Sequence, residues 1–342
     1  MNKHYKFIDL FAGLGGFRIA FENQNCTCVF SSEIDKHVAN VYAENFKDLP
    51  SGDITKINTT DIPDHDILCA GFPCQSFSIA GKRLGFQDKR GTMFFEVARI
   101  LKEKQPKAFI LENVKGITNH DNGNTLKIIE QTLEELNYSF KYKVLNAKDF
   151  GIPQHRERWY CVGIRNDLGL NIEDYPFPTR KNLTKTLASI INSNLKSENY
   201  EISDICKSHI NKFVKLKDIT INSDTLAYEV RPSRCQFKCD GISPCLTAKM
   251  GTGGNNVPIV VSQMRKLTEK ECLQIMGYPK TYKIGTGSTA YKQIGNSVVV
   301  PVINELAYNL VNLLDSSEFD KNLYSKVTPI NINSNKKSKS LA

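Results

Sequence analysis

Long apolar runs are missing from this 342-residue sequence. No stretch approaches the roughly 20 residues that a membrane-spanning helix needs. The segment Met1 to Phe7 carries Lys and His where a secretory leader would place an apolar stretch and a cleavage site. Membrane and secreted classes are therefore set aside, and the expected location is the cytoplasm. Paired metal-ligand spacing is missing as well. The ten cysteines lack small-domain disulfide spacing and read as reduced thiols. Cys235, Cys239 and Cys245 form no CxxC pair and have no nearby histidine, which speaks against zinc. What is present is a composition of 40% hydrophobic and 24% charged residues on a length that suits two lobes. A net charge of +9 favours a polyanionic partner, nucleic acid among otherwise equal candidates.

The chain opens with an apolar strand, Phe7 to Leu10, then Gly13, Gly15 and Gly16, then a helical pattern from Phe17. Strand, glycine turn and helix begin a nucleotide-binding βαβ unit. The next strand, Thr27 to Ser32, delivers Glu33, well placed to take ribose hydroxyls. Arg18 stands where the third glycine of a dinucleotide fingerprint belongs, so an adenosine without phosphates is expected rather than a pyrophosphate cofactor. S-adenosylmethionine fits that description, and a purely structural βα turn fits the spacing equally well. After the amphipathic helix Asp35 to Phe46 come Gly52, Asp53 and Ile54, where Asp53 is either an acceptor for an adenine amino group or a helix cap.

The stretch that organises the rest is Ala70 to Ser78, A-G-F-P-C-Q-S-F-S, on the loop that leaves the strand His65 to Cys69. Ligands of open α/β sheets bind at such strand ends. Pro73 stiffens the loop next to Cys74. Cys74 is a candidate nucleophile, against the alternative of an inert buried thiol. The loop Gly81 to Gly91, with Lys82, Arg83, Lys89 and Arg90, reads as a basic lid or a solvated loop. Thr92 to Lys104 and Asn124 to Leu136 read as helices, and the strand Ala108 to Leu111 delivers Glu112 at its C-terminal end. Two further strands, Ser139 to Leu145 and Arg158 to Ile164, flank Gln154 to Arg158. Periodicity fades from Asn166 to Thr225, which marks a lobe boundary. From Tyr228 to Pro258, Arg231, Arg234, Lys238 and a glycine loop read as a DNA-contacting surface. Thr268 to Met276 is helical, a helix ends near Asp315, and a polar tail follows that is expected to be disordered.

Six ordered motifs now stand in the sequence: FIDLFAGLGGFR from Phe7, GFPCQSFS from Gly71, ENV from Glu112, QHRER from Gln154, GISPCLTAKMGTGGNNVP from Gly241 and QIGNSV from Gln293. Over about residues 5 to 315 the chain resembles the bacterial DNA cytosine carbon-5 methyltransferases of type II restriction-modification systems. The departures are His155, between Gln154 and Arg156, and a target-recognition stretch whose residues do not by themselves give a specificity. The resemblance implies an α/β fold with a Rossmann-like methyltransferase sheet flanked by helices. It implies a catalytic piece at 1–180, a small target-recognition domain at 181–267 and a catalytic completion at 268–316, before a tail at 317–342. For S-adenosylmethionine it implies Phe11, the turn Gly13, Leu14, Gly15 and Gly16, then Glu33, Ile34, Asp53, Ile54, Asn296 and Val298.

For catalysis the resemblance implies Cys74 adding to carbon-6 of a flipped-out cytosine and Glu112 stabilising charge at ring nitrogen 3. Arg158 is expected on the exocyclic oxygen, and Arg156 supporting the site and a phosphate. The partner is double-stranded DNA, contacted through Ser78, Lys82, Arg231, Arg234 and Thr247. Arg231 is the choice for the residue entering the vacated helix position. A monomer without a stable protein partner is expected. The rivals are a same-fold enzyme acting on transfer RNA and a catalytically silent DNA binder, and four intact candidate catalytic residues argue against the second.

Overall fold

The computed structural model describes residues 4–73, 93–183, 185–195 and 198–325, with the helix backbone alone from 317 onward. Its larger sheet contains β1 (Lys6–Leu10), β2 (Thr27–Ser32), β3 (Ile67–Gly71), β4 (Ala108–Val114), β5 (Tyr138–Asn146) and β6 (Glu157–Arg165), in the order β2-β1-β3-β4-β6-β5. The first four are parallel, and β6 lies antiparallel between β4 and β5. Ile67–Ala70 and Ala108–Leu111 are wholly apolar and fully buried, as strands covered on both faces must be. Their side chains alternate between two cores: Phe7, Ile67, Cys69 and Ile110 enter one, and Ile8, Leu68, Ala70 and Leu111 the other. The α/β class expected from the sequence is the fold observed.

Helix α1 (Gly16–Glu22) covers the first core with Phe17, Ala20 and Phe21. Helix α2 (Lys36–Phe46) starts at Asp35, whose carboxylate accepts from the His37 and Val38 amides. Helices α3 (Met93–Lys104) and α4 (Asn124–Glu135) cover the second core through Phe94, Val97, Leu101, Ile129 and Leu133. Sequence order reverses between β1 and β3, so the carboxyl ends of β1, β2, β3 and β4 open onto a switch point of the kind where ligands bind.

A second sheet joins β7 (Leu226–Arg231), β8 (Arg234–Lys238), β9 (Ile259–Val260) and β10 (Arg265–Lys266) in the order β10-β9-β7-β8. Helix α5 (Asp204–Leu216) lies on it, and Cys206, Ile210 and Phe213 share a small core with Ala227, Val230 and Ile259. The helix falls inside the stretch where periodicity was expected to fade. Cys206, Ile210 and Phe213, with Val214 packed beside them, keep helical spacing among Lys and Asn, and Ser203 caps the start. Leu187, Ile190 and Ile191 pack in the first core, which also receives Leu226 and Val260 of the second sheet.

The chain returns through α6 (Glu269–Ile275), whose Thr268 and Glu271 form a capping box, then α7 (Ser288–Asn296) and α8 (Val300–Ser325). Ile303, Leu306 and Leu310 of α8 are fully buried, worth about 1.5–3 kcal/mol each. Two expectations need correction here. The stretch Ser288–Ser316 is long and apolar enough to cross a membrane, and most of its apolar part is buried inside the protein. Its apolar residues follow from core packing. The helix also continues to Ser325 instead of ending near Asp315, because no Gly or Pro interrupts residues 316 to 325.

Candidate active site and nucleic-acid interface

Glu112 lies inside β4, which runs two residues past it to Val114, and stands in register with Gly71, the last residue of β3. It is only 8% exposed. A Cβ on Gly71 would meet Glu112 Oε2 at 3.4 Å, which places the carboxyl against the end of the neighbouring strand. Asn113 fastens the same junction: its Nδ2 donates to the Phe72 carbonyl at 2.8 Å, and its Oδ1 accepts from the Val114 amide at 2.8 Å. Arg158 Nε lies 3.3 Å from Glu112 Oε1, and Arg158 Nη1 donates to the Glu157 carbonyl at 2.8 Å. Burial raises the Glu112 pKa, while Arg158 and then Arg156 pull it back down. A carboxyl that keeps its proton above the usual range is equipped to donate to a developing anion. Cys74, Ser78 and Lys82 lie outside the described residues, and Pro73 is the last described residue before them.

Arg156 is placed differently from the expectation. It is 3% exposed, and its guanidinium donates to the carbonyls of Leu246, Gly295 (3.2 Å) and Ser297 (2.8 Å). A phosphate contact gives way to an internal crosslink between the β6 approach, the segment before Thr247 and the end of α7. Gln154 works in parallel. Its Nε2 donates to the Ile275 carbonyl at 3.1 Å while its Oε1 accepts from the Leu246 amide at 3.1 Å. Gly295 permits the packing, because a Cβ there would lie 2.1 Å from the Thr247 backbone.

On the other side of the switch point, Phe11 turns the chain out of β1 with φ 56, a left-handed conformation costly for a non-glycine residue. Gly13 and Gly15 continue with φ 55 and 69, and a Cβ on Gly15 would strike the Phe46 ring at 2.3 Å. Gly16 is pressed against Val298 and the Tyr278 hydroxyl. Arg18 lies over the Tyr42 and Phe46 rings and pairs with Glu22 and Asp48, so no phosphate-binding cation is offered there. Glu33 accepts from the Gly13 amide at 3.0 Å and the Asp35 amide at 2.9 Å. A carboxylate oxygen has capacity for a second donor.

The Glu33 amide donates to Ser51 and the Ser51 amide to Ser31, which brings the Asp53 loop beside Glu33. Asp53 caps a short 3-10 turn, accepting from the Thr55 amide and hydroxyl, and these bonds lower its pKa. Ile34 is 68% exposed next to these acceptors, and Asn296 is exposed at the end of α7. Leu14 and Ile54 have their side chains buried in the two cores. The arrangement suits an uncharged ring with hydroxyl donors.

Arg231, Arg234, Thr247 and Lys249 line one cleft of about 510 Å³ in the smaller lobe. The sequence had separated these residues by up to 18 positions (231 to 249); the β7/β8 hairpin and the Thr247 segment bring them together.

A profile for the C-5 cytosine-specific DNA methylases matches residues 5–312. The chain belongs to this family. It is 45% identical over 318 residues to the type II methyltransferase M.HhaI of Haemophilus parahaemolyticus, covering 91% of this chain and 95% of that one. It is 44% identical over 319 residues to M.HaeII of Haemophilus aegyptius, covering 92% and 95%. The fold is similar to that of a DNMT2 mutant from Spodoptera frugiperda, with TM-score 0.66 and 24% identity over 92% of this chain and 100% of that one. It is also similar to a prophage-encoded putative DNA modification methyltransferase from E. coli, with TM-score 0.68 and 20% identity over 91% and 99%.

Two residues of this methylase escaped the sequence reading. Asp9 is fully buried beneath the glycine turn, and burial, opposed by Arg18, holds its carboxyl well above the usual range. It sat inside a run read as an apolar strand. Asn256, within the GTGGNNVP run, lines the cleft beside Arg231.

Proposed function

We propose that this methylase transfers a methyl group from S-adenosylmethionine to carbon-5 of a flipped-out cytosine in duplex DNA, through a covalent bond from Cys74 to carbon-6. The observation that carries the reading is the buried Glu112, held beside Arg158 at the strand end next to which the Cys74 loop leaves β3. Glu33, Asp53, Phe11, Ile34, Asn296, Val298 and the Gly13–Gly16 turn are the residues that would hold the cofactor, which supplies an electrophilic methyl group. Leu14 and Ile54 contribute backbone.

Carbon-5 of cytosine is a poor nucleophile until the ring gains electrons. Cys74 adds as a thiolate to carbon-6, and the electron pair displaced from the 5,6 double bond is shared with the ring. Glu112 donates its proton toward ring nitrogen 3 as negative charge develops there. Arg158 holds the exocyclic oxygen and keeps Glu112 oriented. Once carbon-5 carries the methyl group, a base, for which water suffices, takes the carbon-5 proton; the bonding pair left behind restores the 5,6 double bond and expels Cys74 as thiolate. Extrusion of the base costs a few kcal/mol, which contacts from Ser78, Lys82, Arg231, Arg234 and Thr247 help to offset. The division of labour is a catalytic body built from both ends of the chain and a recognition lobe around β7–β10. The enzyme acts in the cytoplasm as a monomer, protecting host DNA from a cognate endonuclease.

The test uses S-adenosylmethionine labelled in the methyl group with duplex DNA and with RNA of matching sequence. Label recovered as 5-methylcytosine in DNA alone supports the reading. Transfer to RNA alone, or no transfer, contradicts it.

A further inference from the structure

Two arginines stand at the tip of the β7/β8 hairpin, and they are held in opposite ways. The pairing shifts register between Tyr228 and Arg231, so β7 carries one extra residue, a bulge with Glu229 at φ 52. Bulges re-aim the side chains that follow. Val230 remains buried in the small core, while Arg231 and Arg234, paired across the two-residue tip, are exposed. Arg234 forms an ion pair with the carboxylate of Glu229. Arg231 has no carboxylate among its hydrogen-bond partners in the described residues. Its Nη2 donates to Asn256 Oδ1 at 2.8 Å and its Nη1 to the Val230 carbonyl at 2.9 Å.

Asn256 is itself anchored. Its Nδ2 donates to the Gly253 carbonyl at 2.7 Å and to Thr252 Oγ1 at 3.2 Å, and Thr252 Oγ1 donates to the Lys249 carbonyl at 2.8 Å. Gly253 and Gly254 have φ 80 and 63, so the loop that receives Asn256 is one that glycine alone adopts without strain. A neutral amide partner leaves the full positive charge of Arg231 uncancelled. Two of its five N–H donors are used, and three remain.

We propose that Arg231 reads a guanine in the major groove of the recognised sequence and that Asn256 is the positioning residue that fixes it, whereas Glu229 withholds Arg234 from base reading. Arginine donating to guanine O6 and N7 is the commonest specific contact in that groove, and a pre-fixed guanidinium gives up less freedom on binding. A side chain tethered to both the hairpin and the glycine loop is a groove reader rather than the group that enters the base stack. The inference rests on the cytosine methylase reading above.

The test is methylation of a duplex library randomised around the site, read by bisulfite sequencing, with full-length parent and variants. The parent profile must show methylated cytosines in a preferred context; no methylation by the parent defeats the underlying reading and this one with it. Arg231→Ala is expected to relax one guanine position by about 5- to 150-fold. Asn256→Ala is expected to relax the same position, and Asn256→Asp, which gives Arg231 a carboxylate partner like the one that holds Arg234, to relax it as well. Arg234→Ala is expected to weaken DNA binding evenly without changing the shape of the profile. Thermal unfolding reports which variants are folded; the Asn256→Asp and Arg231→Lys profiles decide the matter if Asn256→Ala is not. For Arg231→Lys, loss of the bidentate fork relaxes the same guanine. A profile that Arg231→Ala and Arg231→Lys leave unchanged, or an Asn256→Ala variant that lowers all sequences equally, overturns the proposal.

Discussion

Arg158 and Glu112 are diagonal neighbours across an antiparallel pair: Glu112 stands opposite Tyr160, and Arg158 two residues before it reaches back to place Nε 3.3 Å from Glu112 Oε1. The cation therefore meets the carboxyl on one face of the sheet, inside the protein, where it opposes the effect of burial.

Removing that cation should move the working pH. With Glu112 acting as an acid, the alkaline limb of methylation follows its deprotonation. Arg158→Leu takes away the influence that lowers the Glu112 pKa, so the limb is expected to shift to higher pH while the maximal rate falls by about 10²-fold or more. Rates on one duplex from pH 6 to 10 for parent and variant provide the check. A limb that stays in place separates Glu112 from the titration.

Glu112 also leaves a signature in stability. The folded chain holds this proton to higher pH than the unfolded chain, because burial raises the pKa. Between the ordinary carboxylate range and that raised value the folded state binds more protons, so this residue's contribution to stability falls as pH rises. Glu112→Gln removes the slope. Urea midpoints across the window should show the variant gaining on the parent as pH increases.

Arg156 should behave as a structural residue. Arg156→Met strands the carbonyls of Leu246, Gly295 and Ser297, with an expected loss of about 2–5 kcal/mol. Arg158→Met should cost less stability and more activity. Denaturant unfolding and single-turnover methylation of both variants test the contrast.

Much of this was legible from residues alone. The strand Thr27–Ser32 was read to the residue, and Glu33, Asp53 and Glu112 were picked out by their places at strand ends and in the loop beyond. Apolar runs closed by glycine or by an isolated acid carry that information. Long-range donor counting is what a sequence cannot carry. Arg156 looked like Arg158, two positions away, yet one faces three carbonyls and the other a carboxyl. Likewise, Asn256 is one of two adjacent asparagines, and only the fold brings it to Arg231. Helix α5 was missed because its apolar positions, Cys206, Ile210, Phe213 and Val214, are scattered through a stretch otherwise rich in Lys.

The covalent route is the central claim, and duplex DNA carrying 5-fluorocytosine at the target tests it most directly. Cys74 is expected to add to carbon-6 and the methyl group to arrive at carbon-5, but fluorine cannot depart as the proton does, so the enzyme stays bonded to the DNA. The account predicts a DNA–protein adduct that survives denaturing electrophoresis, requires S-adenosylmethionine and is absent in Cys74→Ala. Active parent enzyme that methylates ordinary cytosine at this site yet forms no such adduct would contradict it.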